Sequence, residues 1–164
     1  VEAGWPVSIL TKSGLVRRDR ELLLRLPDVD VGFTITTLDE GLRERFEPGA
    51  APVAQRLEAM AGLAAAGLEV WAFCGPLLPG LSDGEEQVAA LFAAVHQAGA
   101  RRVLVDSLNL RGASWGRVRA VLERHFPRLV PLYQELAADR GPYHAALAER
   151  ARRLAGEQGL TVEL

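Results

Sequence analysis

One cysteine, Cys74, and one methionine, Met60, stand among 164 residues. A lone cysteine excludes an internal disulfide framework and any metal cluster held by several thiolates of this chain. It suits a reducing compartment, and the expectation is a cytoplasmic protein. Long apolar runs are also missing. None approaches the ~20 residues that a membrane-spanning helix needs. The opening residues Val1 to Pro6 lack the charged and apolar regions of a signal peptide. They also begin without Met, and the expectation is a piece of a longer chain. Charge of neither sign prevails, with 19 Lys and Arg against 21 Asp and Glu and a net charge of −2. Nucleic acid binding draws on clustered cations that displace counterions. This balance gives no such footprint and leaves a nucleic acid partner open. His96, His125 and His144 share no metal-ligand spacing and have no cysteine near them. Neither G-x-G-x-x-G nor G-x-x-x-x-G-K-[ST] occurs.

What is present is an alternation of strand and helix signals. Hydrophobic residues make up 49% of the chain, enough for one sizeable core. Strands are expected at Val7 to Leu10, Val31 to Thr37, Glu69 to Cys74 and Arg102 to Asp106. The second carries Val, Phe, Ile and Thr, residues that fit a pleated surface. Helices are expected at Arg18 to Leu26, from a start at Thr37 to about Phe46, from Pro52 to Ala66, and from a start at Ser82 to Gly99. Thr37-x-x-Glu40 and Ser82-x-x-Glu85 have the capping-box pattern. Pro52 suits a first helical turn, and Gly67 suits the residue just past a helix end. After Asp106 the pattern is helical only, near Trp115 to Phe126, Pro127 to Ala138 and Tyr143 to Gln158. Leu160 to Leu164 forms a candidate last strand.

Successive βα units call for a parallel sheet with helices packed outside. The strands read as near-continuous apolar runs, as in sheets covered on both faces. Four strands are too few to close an eight-stranded barrel. The expected fold class is therefore α/β, a partial TIM barrel: an open curved parallel sheet of about four βα units followed by C-terminal helices. A flat doubly wound sheet is the alternative. Residues 1–111 form the expected partial barrel, and residues 112–164 a helical extension packed on the same domain.

Ligands of parallel α/β sheets bind beyond the carboxyl ends of the strands. That rule selects Thr11-Lys12-Ser13, Thr36 to Asp39, Cys74 to Asp83, and Asp106 to Arg111. Lys12 and Ser13 suit an anionic group. Thr34 and Thr36, two apart, share a strand face and offer hydroxyls. Glu47 and Arg56 flank a turn, where Arg56 either pairs with Glu47 or reaches a ligand carboxylate. Pro76, Leu77 and the loop to Asp83 follow a path fixed by Gly and Pro. Asp83 suits an N-cap or first-turn position. Asn109 suits an adenine edge or a turn. Cys74 suits a buried apolar position, with a redox role as the alternative.

Several of these segments, in this order and spacing, resemble the middle of radical S-adenosylmethionine (SAM) enzymes of the spore photoproduct lyase or DNA repair photolyase type. They are Ile9 to Ser13, Thr34 to Glu40, Phe46 to Gly49 with Arg56-Leu57, and Pro76 to Asp83. Asp106-x-Leu108-Asn109-Leu110-Arg111 resembles a later part of bacterial members. The resemblance covers Pro6 to Arg111. It implies a six-unit partial TIM barrel of which this chain supplies units three to six. It implies SAM as cofactor, with Lys12, Ser13, Thr36, Arg56 and the loop from Pro76 through Leu77 to Leu81 lining the SAM and substrate cavity. Thr34 and Asn109 join the expected cofactor-binding residues on their own chemistry at the strand ends. In that family three cysteines in a C-x3-C-x2-C run hold a [4Fe–4S] cluster, which cleaves SAM to a hydrogen-abstracting radical. Cys74 is not enough for that cluster, so an N-terminal segment has to supply it. The first strand is then an unpaired edge, for such a segment or a partner chain to cover. Two further readings compete. One is a cluster-free relative acting as a nucleoside-binding or assembly module. The other is an α/β enzyme acting on a phosphorylated small molecule.

Overall fold

The computed structural model describes residues 4–110 and 113–164, with the side chains of 113 and 114 left aside. Arg111, an expected site-edge residue, lies outside the described residues. Five strands form one parallel sheet: β1 Val7–Thr11, β2 Val29–Thr34, β3 Glu69–Leu77, β4 Arg102–Ser107 and β5 Thr161–Glu163. Their order in the sheet follows the chain, β1-β2-β3-β4-β5. The candidate last strand thus pairs in parallel with β4. Among the described residues, β1 pairs only with β2, and its other edge has no strand beside it.

The helices are α1 Arg20–Leu23, α2 Glu40–Phe46, α3 Val53–Ala65, α4 Glu85–Gln97, α5 Ala113–His125, α6 Val130–Ala138 and α7 Gly141–Glu157. The expected helix over 18–26 shrinks to a 3-10 segment, Gly14–Asp19, and the single turn of α1. Ser13 Oγ accepts from Leu15 N at 3.2 Å and starts that tighter winding early. Leu22, Leu23 and Leu24 are consecutive, so they cannot share one helical face. Only Leu23 of the three is buried.

Neither expected capping box forms. α2 is capped by Asp39, whose Oδ1 accepts from Leu42 N at 2.9 Å. Glu40 reaches forward instead and accepts from Val53 N at 3.1 Å, tying the start of α2 to α3. That bond comes first among the causes that hold the Glu40 carboxyl below its ordinary range. Ser82 Oγ accepts from Leu78 N at 3.0 Å, and Asp83 Oδ1 from Gly80 N at 2.7 Å. Both side chains close the loop after β3 rather than cap α4, which starts from Gly84. The helix ends at Gly67 and Gly99 appear where expected, with φ of 92° and 101°.

The strands are not covered alike on both faces. Val31, Phe33, Val70, Ala72, Cys74, Val103 and Val105 alternate along β2, β3 and β4 and pack into the helix-facing core. They meet Met60 and Leu63 of α3, Leu91 and Phe92 of α4, and Leu147 and Leu154 of α7. Fully burying each such side chain stabilises by about 1.5–3 kcal/mol. The other, concave face carries Ser8, Asp30, Trp71 and Arg102, which bond to one another. Asp30 Oδ1 accepts from Ser8 Oγ at 2.6 Å and from Trp71 Nε1 at 2.7 Å. The Arg102 guanidinium lies 4.9 Å from the centre of the Trp71 ring. It also pairs with Glu163 at 3.2 Å. Trp71 lies flat across Gly32, where a Cβ would come within 2.5 Å of its ring. Glycine is therefore required at 32 by a close approach. These residues line the inner face of an open barrel wall.

The register shifts by one residue between Cys74 and Leu77, which pair with Val105 and Ser107. This bulge sits at the carboxyl end of β3, where such kinks re-aim side chains. A second apolar cluster, around Leu78, Leu108, Leu122, Tyr133 and Leu136, packs α5 and α6 beside that end.

Candidate functional site

A cavity of about 340 Å³ opens at the carboxyl ends of the strands. Its wall takes Lys12 from beyond β1, Thr36 from beyond β2, Pro76 from β3 and Leu78 and Leu108 from the loops after β3 and β4. Phe46 and Glu47 close one side, and Arg117 and Val118 of α5 close another. Every contributing strand presents its carboxyl end, as parallel packing with helices outside requires.

Lys12 is held by charge. Its Nζ donates to Glu47 Oε1 at 2.5 Å, with the Lys12 side chain 46% exposed and that of Glu47 only 9%. The other carboxylate oxygen, Oε2, accepts from Arg56 Nη1 at 2.9 Å. Arg56 is fully buried and is not part of the cavity wall. Its Nε also donates to Ala51 O at 2.7 Å, and its Nη1 to Thr34 O at 2.8 Å. One guanidinium thus joins the end of β2, the loop before α3 and Glu47. Its Nη2 finds no partner among the described residues. The sequence reading gave Arg56 two roles, pair or ligand; the pair is the one formed here.

Arg43 was missed from sequence. It is 6% exposed. It donates to Glu47 O at 3.3 Å, to Ala50 O at 3.2 Å and to Glu40 Oε1 at 2.7 Å. The segment from Glu47 to Pro52 has no ladder to satisfy its carbonyls, and buried carbonyls need donors. Two buried arginines supply them and fix the place of Glu47. That need is the signal a sequence reading had for Arg43.

Of the other expected site residues, Thr36 and Pro76 line the cavity with Lys12. Ser13 does not; its Oγ caps the 3-10 segment. Thr34 contributes its carbonyl to Arg56. Leu77 is fully buried in the helix-facing core. Asn109 is exposed and outside the cavity wall. Cys74 points into the helix-facing core, and burial pushes its thiol up to about 12. A thiol in that state stays protonated and inert. No group of three or more His, Cys, Asp or Glu able to hold a metal occurs among the described residues. The residues present therefore do not fit an iron–sulfur cluster.

Phe46 and Arg117 also line the cavity wall; the sequence reading named Phe46 only within the matching segment Phe46 to Gly49 and did not name Arg117. Phe46 stacks on Phe126 with ring centres 6.2 Å apart. Gly112 to Gly116 also has the G-x-S-x-G spacing of a nucleophile elbow. Such an elbow sits on a tight strand-to-helix turn, whereas β4 already ends at Ser107. Behind the loop after β3 lies a buried polar cluster. Arg150 donates to Asp83 O at 2.5 Å. Burial first, then the Asp83 charge, pushes the Tyr133 and Tyr143 phenols well above their ordinary range. Ser107 Oγ contacts His144 Nε2. Both contacts join α7 to the carboxyl end of the sheet.

Comparison with solved structures places this architecture. A mutant spore photoproduct lyase with bound AdoMet and dinucleoside spore photoproduct superposes with a TM-score of 0.63 and 18% sequence identity. The match covers 96% of this chain and 50% of that one. A spore photoproduct lyase complexed with dinucleoside spore photoproduct gives 0.62 at the same identity and coverage. The chain shares the fold of spore photoproduct lyase. The expected class, an α/β partial TIM barrel followed by helices, is thereby met, with five strands in place of four. No family model matches the chain. An uncharacterized protein of Mycobacterium tuberculosis is 37% identical over 144 residues, 86% of this chain and 42% of its own length. An uncharacterized protein of Methanocaldococcus jannaschii is 37% identical over 79 residues, 48% of this chain and 30% of its own length. The chain thus spans less than half the length of these relatives. Among the described residues, no helix is long and apolar enough to cross a membrane.

Proposed function

We propose that this chain is the C-terminal part of a radical SAM enzyme. It binds AdoMet and a substrate at the carboxyl ends of its strands, and the [4Fe–4S] cysteines lie outside these 164 residues. One observation carries the reading: the cavity gathers Lys12, Thr36 and Pro76 from three successive strand ends, with Lys12 steered by Glu47. The AdoMet bound in a protein of the same fold supports it.

The donor set fits AdoMet. The Lys12 ammonium suits its carboxylate, the Thr36 hydroxyl a ribose oxygen, and the apolar wall at Phe46, Leu78 and Leu108 its adenine. Arg56 and Arg43 act through Glu47: they hold the carboxylate that holds Lys12. AdoMet held here would supply hydrogen-atom abstraction only with an electron from a cluster outside this chain. This chain's own part is to bind, orient and exclude water. A preceding segment or a partner chain pairs with the open edge of β1, where Leu10 is 51% exposed.

AdoMet titration of the chain by calorimetry tests this. Lys12→Ala removes a charge-assisted contact and is expected to weaken AdoMet about ten-fold or more. Unchanged affinity contradicts the assignment of Lys12. No saturable AdoMet binding to the unsubstituted chain removes the proposed function altogether.

A further inference from the structure

Glu47 stands between two cations. Its Oε1 accepts from Lys12 Nζ at 2.5 Å and its Oε2 from Arg56 Nη1 at 2.9 Å. Lys12 and Glu47 line the cavity wall, and Arg56 is fully buried and outside that wall. A guanidinium carries five N–H donors. Arg56 spends one on Ala51 O, one on Thr34 O and one on Glu47. The two donors of Nη2 are left over, buried and without a partner among the described residues. Arg43, the other buried arginine of this loop, differs: each nitrogen of its fork has an acceptor. A buried donor left unpaired is costly, so the Arg56 fork stands one carboxylate oxygen short of completion.

We infer that Glu47 is a specificity-determining residue that works by carboxylate exchange: the carboxylate of AdoMet takes Lys12, and Glu47 turns its freed oxygen onto Arg56 Nη2. This deepens the proposed function and rests on it, because it says how the same cavity selects its cofactor. Nη1 and Nη2 lie side by side in one plane, the geometry that a carboxylate grips with two parallel bonds. Glu47 already holds Nη1, so a rotation about that bond completes the fork. Lys12 is half exposed and free to follow the ligand, whereas Glu47 is 9% exposed and stays in the wall. Every charge keeps a partner throughout. In the unliganded cavity Glu47 occupies the place of the ligand's carboxylate. A nucleoside that lacks this group cannot displace it, however well its adenine and ribose fit.

AdoMet and decarboxylated AdoMet, in which hydrogen replaces the carboxylate, test this on the unsubstituted chain. The Arg56 guanidinium is followed by NMR during both titrations. Saturating AdoMet is expected to move the Nη2 protons downfield and slow their exchange, as a new bond to a carboxylate requires. Decarboxylated AdoMet is expected to leave them in place and to bind about ten-fold more weakly. Glu47→Gln removes the competing charge, so AdoMet is expected to bind it about three-fold more tightly. That gain is expected to vanish in a Lys12→Ala background, because it passes through Lys12. Nη2 signals that stay put under bound AdoMet, or that move equally with both ligands, overturn the inference. So does AdoMet affinity that is unchanged or weaker in Glu47→Gln, or a gain that survives Lys12→Ala. If Glu47→Gln does not fold, the Nη2 signals of the unsubstituted chain decide alone. Failure of AdoMet to bind the unsubstituted chain strikes the proposed function instead, so the two failures are distinct.

Discussion

Arg56→Met destabilises the chain by about 3–5 kcal/mol, a large share of the ~5–15 kcal/mol that holds a domain together. The thioether keeps most of the stem but donates nothing. Thr34 O and Ala51 O lose their donor, and the Glu47 carboxylate, 9% exposed, loses the partner on its Oε2. Leaving buried acceptors and a buried charge uncompensated costs far more than an exposed ion pair contributes. Lys12→Ala makes the contrast. It also removes a partner of Glu47, but from a half-exposed position, and costs about 0–1 kcal/mol. Urea unfolding separates the two, with a midpoint shift of about 1 M or more for Arg56→Met. Equal losses from both substitutions would show that the guanidinium is not the structural centre of the loop.

Trp71→Ala has a comparable effect, about 3–5 kcal/mol, and it acts on the opposite face of the sheet. Trp71 is 8% exposed, lies on Gly32, stacks with Arg102 and donates to Asp30. Its removal strips the concave face of its largest apolar surface and leaves Asp30 with fewer partners. Gly32→Ala strains the same contact from below, since its Cβ meets the indole at 2.5 Å. That overpacking costs about 1–3 kcal/mol in the native background. In the Trp71→Ala background the clash has gone, so Gly32→Ala is expected to be almost neutral. The coupling in this double-mutant cycle is the diagnostic. Strictly additive losses would mean that the indole does not rest on Gly32.

These two residues also mark where the sequence was readable. Alternation of elements and helix ends at Gly67 and Gly99 follow from local rules, so the parallel order of the strands was legible. Trp71 and Gly32 were not, because they lie on different strands and meet only once β2 and β3 pair. Reading both strand faces as covered came from apolar runs such as Val70-Trp71-Ala72-Phe73. In the fold, alternate members of that run face helices and the inside of an open barrel. The carboxyl-end rule located the cavity and delivered Lys12, Thr36 and Pro76. It placed Leu77 there too, but the one-residue shift after Cys74 leaves that side chain in the core. Arg117 was illegible for a different reason. It belongs to one of many arginine-bearing helices, and only the packing of α5 beside the strand ends brings it to the wall.

The two capping boxes failed for a shared cause. Thr37 Oγ1 and Ser82 Oγ each accept from a different amide, that of Asp39 at 3.0 Å and that of Leu78 at 3.0 Å. Short hydroxyl side chains bond to whichever backbone group the turn presents. Pattern alone does not tell a cap from a turn.

Amide hydrogen exchange with and without AdoMet tests the central claim most directly, because it reports ligand protection segment by segment. Protection is expected around Lys12, around Thr36 and across Pro76 to Leu78, with none at Asp28 to Asp30, Leu68-Glu69 or Arg101-Arg102 at the other ends of the strands. Protection confined to those other ends, or none anywhere at saturating AdoMet, would contradict a cofactor cradle at the carboxyl rim of this sheet.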